Sequence, residues 1–355
     1  MIDVDVDLRK LPGSVQVVAA RDGGYFPVVL RTGPNDAIAA IRGGASHIGI
    51  DGRLEIIRTS DGGRTWTGRR VAADSDWDDR NPSLGLSRRG TVVLAYHHQG
   101  NYDSKGNLVA GERVDTLLKT SADKGETWGE PYPLDYEELR GRSPYGRMLL
   151  YGDDLLLPIY GPKIGRPRSG GPSVSYIIRS SDSGLTWKEP SLIADRMNET
   201  SLALLPGGEI IAILRSELDH PASLYCSVSR DGGSSWTEPR RVTRDGEHPG
   251  DVLLLSNGWV LVFFGVRHEP YGVQGVVSTD MGATWVDTPR IVVTDELETT
   301  DCGYPSATVF GDGTVVVMYY SAGRNPGPRG EGAYAQALVF KEEALIAAVE
   351  ERGVG

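Results

Sequence analysis

Several short strings in this sequence carry side chains that can exchange protons or hold an anion. They are "RDGGYFP" with Arg21 and Tyr25, "DDRNPS" with Asp78, Asp79, Arg80 and Asn81, and "RSPYGR" with Arg142, Tyr145 and Arg147. Further along stand "MNETS" with Asn198 and Glu199, "EHPGD" with His248 and Asp251, and "DCGYPS" with Asp301 and Tyr304. Between them lie Arg42, His47, His97, Tyr160, Arg215, Arg267 and Tyr320. Carboxylates, imidazoles and phenols move protons, and guanidinium groups grip anions through charge-assisted hydrogen bonds. The set would serve acid–base chemistry on a polar ligand if the fold brought it to one place.

The elements that must do so are legible as a repeat. "TSDGGRTW" from Thr59, "SADKGETW" from Ser121, "SSDSGLTW" from Ser180, "SRDGGSSW" from Ser229 and "STDMGATW" from Ser278 recur at roughly 50 to 60 residues, the period of a propeller blade. Within each string Asp and Ser can bond turn N–H groups, Gly supplies positive φ and Trp packs beneath the sheet. A catalytic centre is not built five times around a ring, so these aspartates are read as scaffold. A second pattern, as in "LLPGGEIIAILR" and "LLSNGWVLVFFG", reads as strand, tight turn, strand. Together they give four strands per unit, with the Asp turn joining the third strand to the fourth.

Six such units fit one all-β domain spanning 1–355, a six-bladed β-propeller. The sixth unit, from Tyr304 to Phe340, has three strands, and "SVQVVAA" from Ser14 is expected to supply the fourth and close the ring. A short helix is expected over about 341–352. In such a meander the start of each first strand and the end of each second strand share one mouth, and the Asp turns lie at the other end. All the chemical strings above fall on the mouth side. There His97 and His98 are expected to face opposite sides of their strand, and the Arg-bearing loops from Lys163 and Gly323 to overhang the opening.

With these residues in hand, the chain resembles the sialidase family of glycoside hydrolases, six-bladed propellers with such Asp boxes, from about Arg21 to Phe340. "NETSLALLPGGEIIAILRSE" is similar to the family's Glu followed by strand, turn and Arg, which matches Glu199 and Arg215. "GYPS" resembles the setting of the family's Tyr nucleophile and matches Tyr304, and the next family Arg matches Arg267. The resemblance implies a retaining exo-glycosidase: a Tyr, deprotonated toward Glu199, attacks a sugar whose own carboxylate would repel a carboxylate nucleophile. Arg42, Arg215 and Arg267 would hold that carboxylate. Arg21, Arg80, His248 and Asp251 join them as substrate-binding candidates. Two positions depart from the family. Its first triad Arg, in a Phe-Arg-Ile-Pro string, has no counterpart in "GYFPV", and His47 of "ASHIG" stands where its general-acid Asp should be. His47 or Asp79 is therefore the expected acid.

Composition limits the partners. The formal net charge of −11, with no Lys/Arg block, argues against nucleic acid, and no apolar run is long enough for a membrane span. Cys226 and Cys302 are read as buried thiols, and no Cys/His spacing suggests a metal. The expected partner is a carbohydrate, with no cofactor. The N-terminus lacks a secretory pattern, so a cytoplasmic location is expected, or a secreted one if a signal has been trimmed. Two alternatives stay open: a hydrolase or lyase on uronate-, rhamnose- or arabinose-containing glycans working from the same mouth, and a glycan-binding propeller without catalysis.

Overall fold

A computed structural model describes residues 5–168, 171–218 and 220–354. They form six antiparallel sheets ranged around an axis. Blade 1 comprises Tyr25–Arg31, Ala37–Gly43, Arg53–Thr59 and Thr67–Ala73. Blade 2 comprises Asp78–Leu86, Val92–Gln99, Val114–Ser121 and Tyr132–Pro133. In blade 3 the first strand is broken into Ser143–Pro144 and Leu149–Tyr151, and Asp154–Pro162, Ser173–Ser180 and Lys188–Asp195 follow. Gly146–Arg147, inside the break, instead pairs parallel with the first strand of blade 2.

Blade 4 runs through Met197–Leu204, Ile210–Ser216, Leu224–Ser229 and Arg240–Arg241. Blade 5 runs through Glu247–Leu254, Val260–Val266, Gly272–Ser278 and Val286–Thr294, with Val6–Asp7 added in parallel outside. Blade 6 contains Cys302–Val309, Thr314–Ser321 and Tyr334–Lys341, and Val15–Arg21 is its outermost strand. The N-terminal segment therefore closes the ring in the way the missing fourth strand required. The C-terminal helix, Glu342–Glu350, packs Leu345 and Val349 into the cluster shared by blades 5 and 6.

Most second strands are buried on both faces, and Ala37–Gly43 and Val260–Val266 are buried at every position. That is why they read as unbroken apolar runs rather than alternating ones. The cores lie between blades: Val29, Ile41 and Ile57 of blade 1, for instance, pack with Val316, Met318 and Val339 of blade 6.

The Asp turns hold this packing. Asp61 Oδ1 accepts from the Thr59 hydroxyl at 2.8 Å and the Thr65 N–H at 2.9 Å, while the Gly63 N–H donates to Thr59 Oγ1 at 2.9 Å. Equivalent bonds recur around Asp123, Asp182, Asp231 and Asp280. Gly63 has φ 89°, and a Cβ there would come within 2.9 Å of Val316 in the neighbouring blade. The string thus clasps one blade to the next, which explains its recurrence without any chemistry. Cys226 and Cys302 are buried free thiols.

Candidate active site

At the mouth the first strands of five blades slip register: between Tyr25 and Val28, Arg80 and Ser83, Met197 and Thr200, Glu247 and Gly250, and Gly303 and Ser306. A bulge re-aims the side chains beside it. Phe26, Asn81 and Tyr304, each followed by Pro, take positive φ of 52°, 49° and 49°, values that non-glycine residues seldom adopt. Such strain collects where a fold must point particular groups at a ligand.

One such group is the phenol of Tyr304, which donates to Glu199 Oε1 at 2.7 Å. Arg215, on the second strand of Glu199's own blade, donates to Oε2 at 2.7 Å. Glu199 is 6 % exposed. Burial first, and the Glu199 charge second, push the Tyr304 hydroxyl far above its ordinary pKa, while Arg215 and Arg267 pull the other way. The resting phenol is neutral. For Arg215 burial opposes the charge, but Glu199 and the surrounding phenols outweigh it and its pKa is raised.

Arg267 lies with its guanidinium 5.7 Å from the centre of the Tyr304 ring and donates to the carbonyls of His248 and Thr300. His248 sits beside these arginines with Nδ1 buried and unpartnered. Burial, then Arg215 and Arg267, lower its pKa to about 2, so it is a neutral wall rather than an acid. Arg80 is buried, 3.4 Å from Asp78 and with its guanidinium 5.8 Å from the Phe26 ring centre. Burial opposes its charge, yet Asp78 and the phenols of Tyr102, Tyr160 and Tyr304 raise its pKa.

His47 completes the mouth. Its Nδ1 lies 2.6 Å from Asp301 Oδ1, the same oxygen that accepts from the Tyr320 hydroxyl at 2.6 Å. Its ring meets Phe26 edge-on at 4.9 Å, and Phe26 in turn lies 5.0 Å from Tyr304. Phe26, Tyr25, Tyr304 and Tyr320 thus make an aromatic floor on which a partly exposed imidazole–carboxylate pair stands beside the Tyr–Glu pair.

Four expected site residues are taken up by contacts within the protein or lie off the axis. Arg42 is 0 % exposed, bonded to Asp78 Oδ1 at 2.7 Å and to the carbonyls of Ala45, Ser46 and Gly49. It builds the loop that carries His47 and does not reach the cavity. Asp79 is also 0 % exposed: strand alternation turns it away from Asp78 and Arg80, and its carboxylate bonds His98 Nδ1 at 2.8 Å inside the blade. It cannot meet a leaving group.

Asp251 accepts two bonds from Arg147, at 2.9 and 3.0 Å, one from the Ser201 hydroxyl at 2.7 Å and one from the Ala307 N–H at 2.7 Å. With its oxygens so engaged it ties blade 5 to blades 4 and 6 and to the segment inside blade 3, at the base of a small pocket that Phe26, Asn81 and Tyr304 also line. Arg21 ends the outermost strand of blade 6, exposed and opposite Tyr334, far from the axis. The aromatic Phe26 occupies the mouth where a first-blade arginine was sought.

Residue types alone did not single out Phe26, or Tyr102, whose hydroxyl donates to Asp78 Oδ2 at 2.7 Å. The Pro after Phe26, shared with Asn81 and Tyr304, was the available signal. His97 lines a pocket beside Tyr160 while His98 turns to Asp79, as alternation required. The loop from Lys163 includes 169–170, which lie outside the described residues. The loop from Gly323 folds over the His47 loop, with Pro328 O accepting from Ser46 N at 3.1 Å. No group of three His, Cys, Asp or Glu among the described residues could hold a metal, and no helix among them is long and apolar enough to cross a membrane.

The BNR repeat-like domain matches residues 36–317. No curated protein sequence matches the chain significantly. Among solved structures, a protein of unknown function from Dyadobacter fermentans is similar at 23 % identity and TM-score 0.74, over 93 % of this chain and 100 % of that one. The Hadza microbial sialidase Hz136 matches at 18 % identity and TM-score 0.70, over 91 % of this chain and 66 % of that one. The NanB sialidase from Streptococcus pneumoniae matches at 13 % identity and TM-score 0.69, over 94 % and 70 % respectively. At these identities the likeness is one of fold.

Proposed function

The chain belongs to the BNR repeat-like domain family, with the fold of the sialidase propellers, and from that premise we propose that it is a retaining glycoside hydrolase that removes a terminal acidic sugar. Tyr304 Oη attacks the anomeric carbon as its proton passes to Glu199 Oε1, and the glycosidic C–O bond breaks. The leaving oxygen takes a proton from His47, whose ring Asp301 orients through Nδ1. Water then attacks the glycosyl–tyrosine bond while His47 accepts the water's proton, and the departing phenolate recovers its own from Glu199. Arg215 and Arg267 hold the substrate carboxylate, and Arg80 adds positive charge across the mouth.

The observation that carries this reading is the 2.7 Å contact between Tyr304 and Glu199, with Arg215 on the second carboxylate oxygen. A phenol buried beside a carboxylate is poor at ionising alone, so an adjacent proton acceptor is what would make it a nucleophile. The test is turnover of an aryl sialoside and of an aryl glycoside panel by the native protein and by Tyr304→Phe. Sialoside release that the substitution abolishes supports the proposal.

A second reading has its own support. The string "GYFPV" offers no third arginine and Phe26 packs against Tyr304 and His47 instead, while His47 with Asp301 takes the place of a carboxylic acid, an arrangement suited to a hydrolase or lyase on uronate-, rhamnose- or arabinose-containing glycans. Turnover confined to those members of the panel would select it. Binding without turnover of any member would select a glycan-binding propeller.

A further inference from the structure

Next to the Tyr304–Glu199 pair, across Tyr160, a cavity of about 400 Å³ opens between blades 2 and 3, within the size range of pockets that take small ligands. Tyr160 is the shared wall. Its hydroxyl accepts from Asn81 Nδ2 at 3.4 Å, and the charges of Glu199, Arg215 and Arg80 all act on it.

The far side of this cavity holds Arg142, which is 2 % exposed. Among the described residues its Nε and Nη1 are buried without a hydrogen-bond partner, and Nη2 donates to the Arg166 carbonyl at 3.3 Å. Among the described residues its guanidinium forms no ion pair, in contrast to Arg42, Arg80, Arg147 and Arg215 around the same mouth. Burial lowers its pKa, while Tyr176 and Glu112 act through space to favour the charge and Arg168 acts against it.

The position is built. Arg142 N donates to Leu139 O at 3.0 Å, and Arg142 O accepts from the Thr116 hydroxyl at 2.5 Å. The side-chain stem crosses Gly161, where any Cβ would lie 2.5 Å from Arg142 Cδ. His97 Nδ1, on the same lining, is likewise buried and unpartnered, whereas Arg168 is paired with Glu137. Leu108 and Val109 form an apolar side.

A guanidinium taken out of water without a counter-anion is unfavourable, because its charge cannot be removed at any ordinary pH. A fold keeps such a group where a ligand supplies the missing partner. We propose that this pocket is an anion subsite in which Arg142 pairs with a second acidic substituent, a carboxylate or a sulfate ester, on the glycan whose terminal sugar is cleaved at Tyr304. The inference rests on the functional reading above for its connection to catalysis, but the anion site itself can be tested without turnover.

Crystals of the native protein and of Arg142→Met, soaked separately in selenate and in glucuronate, provide that test. Selenate stands in for a sulfate ester and is located by its anomalous scattering. The native protein is expected to hold at least one of the two at Arg142, and Arg142→Met neither. Selenate alone identifies a sulfate ester and glucuronate alone a carboxylate. Arg142→Lys, which keeps the charge, guards against a merely misfolded variant and is expected to retain the anion. Anions that settle at Arg215 and Arg267 but never at Arg142 overturn the subsite and leave the Tyr304 proposal standing. Persistence of the anion in Arg142→Met overturns it equally.

Discussion

Asp251→Asn separates a scaffold role from a ligand role. The native carboxylate is about 3 % exposed and receives four protein donors: two N–H groups of Arg147, the Ser201 hydroxyl and the Ala307 N–H. Asparagine preserves the shape but replaces one acceptor oxygen with an NH2 group, which then faces donors from Arg147 and Ala307. It also leaves the Arg147 guanidinium, whose side chain is 15 % exposed, without its counter-charge.

Breaking a buried pair on one side costs about 3–5 kcal/mol, and an orphaned buried N–H adds about 1 kcal/mol or more. Urea unfolding followed by tryptophan fluorescence is expected to show a loss of about 4–6 kcal/mol. Adding Arg147→Met to Asp251→Asn should recover part of the loss, because the double variant leaves no unpaired charge. An Asp251→Asn protein within about 1 kcal/mol of native stability, but with a raised KM, would refute this reasoning and return Asp251 to the ligand site.

Arg42→Met should also cost about 3 kcal/mol by removing the buried guanidinium bonded to Asp78 Oδ1, with Arg80 and Tyr102 still on Oδ2, and lower kcat through the His47 loop with KM nearly unchanged; urea unfolding and steady-state kinetics check it. His47→Gln should slow glycosides with poor leaving groups by about 10²–10⁴-fold and nitrophenyl glycosides far less, as expected for loss of a general acid and measurable as a leaving-group series. Stability should fall on acidification below pH 6.5. His97 and His248 are held neutral by burial, with pKa values down to about 4 and about 2, whereas the unfolded chain protonates both near 6.5. The unfolded state then binds more protons, so each imidazole removes at most about 1.4 kcal/mol per pH unit, His97 down to about pH 4 and His248 further; urea midpoints across pH 4–7 measure the slope.

How much of this was legible beforehand depends on the range of the interactions. The Asp turns were, because each is a local hydrogen-bond set repeated five times, and their spacing implied both the ring and the strand that closes it. Tyr304, Glu199, Arg215 and Arg267 were placed at the mouth by strand order alone. Depth was not legible. Arg42 and Arg215 both end second strands, yet one lies beneath a loop on Asp78 and the other beside Glu199.

Nor was facing, because alternation separates neighbours without saying which side is the cavity. Asp78, Asp79 and Arg80 are consecutive, but only their packing shows that Asp79 turns inward to His98. Asp251 read as a site residue because its string resembled the others, and its four donors come from segments far apart in the chain. Arg21 was misjudged by proximity: the strand it ends belongs to blade 6, not to the blade that follows it.

The most direct measurement is covalent trapping with a 3-fluorosialosyl fluoride, whose fluorine slows departure of the sugar from the enzyme more than its arrival. Mass spectrometry of the digested protein is expected to find one fluorosialosyl group on the Tyr304 peptide, and none after Tyr304→Phe. A label on another residue, or continued release from an aryl sialoside with no label at Tyr304, would contradict the account.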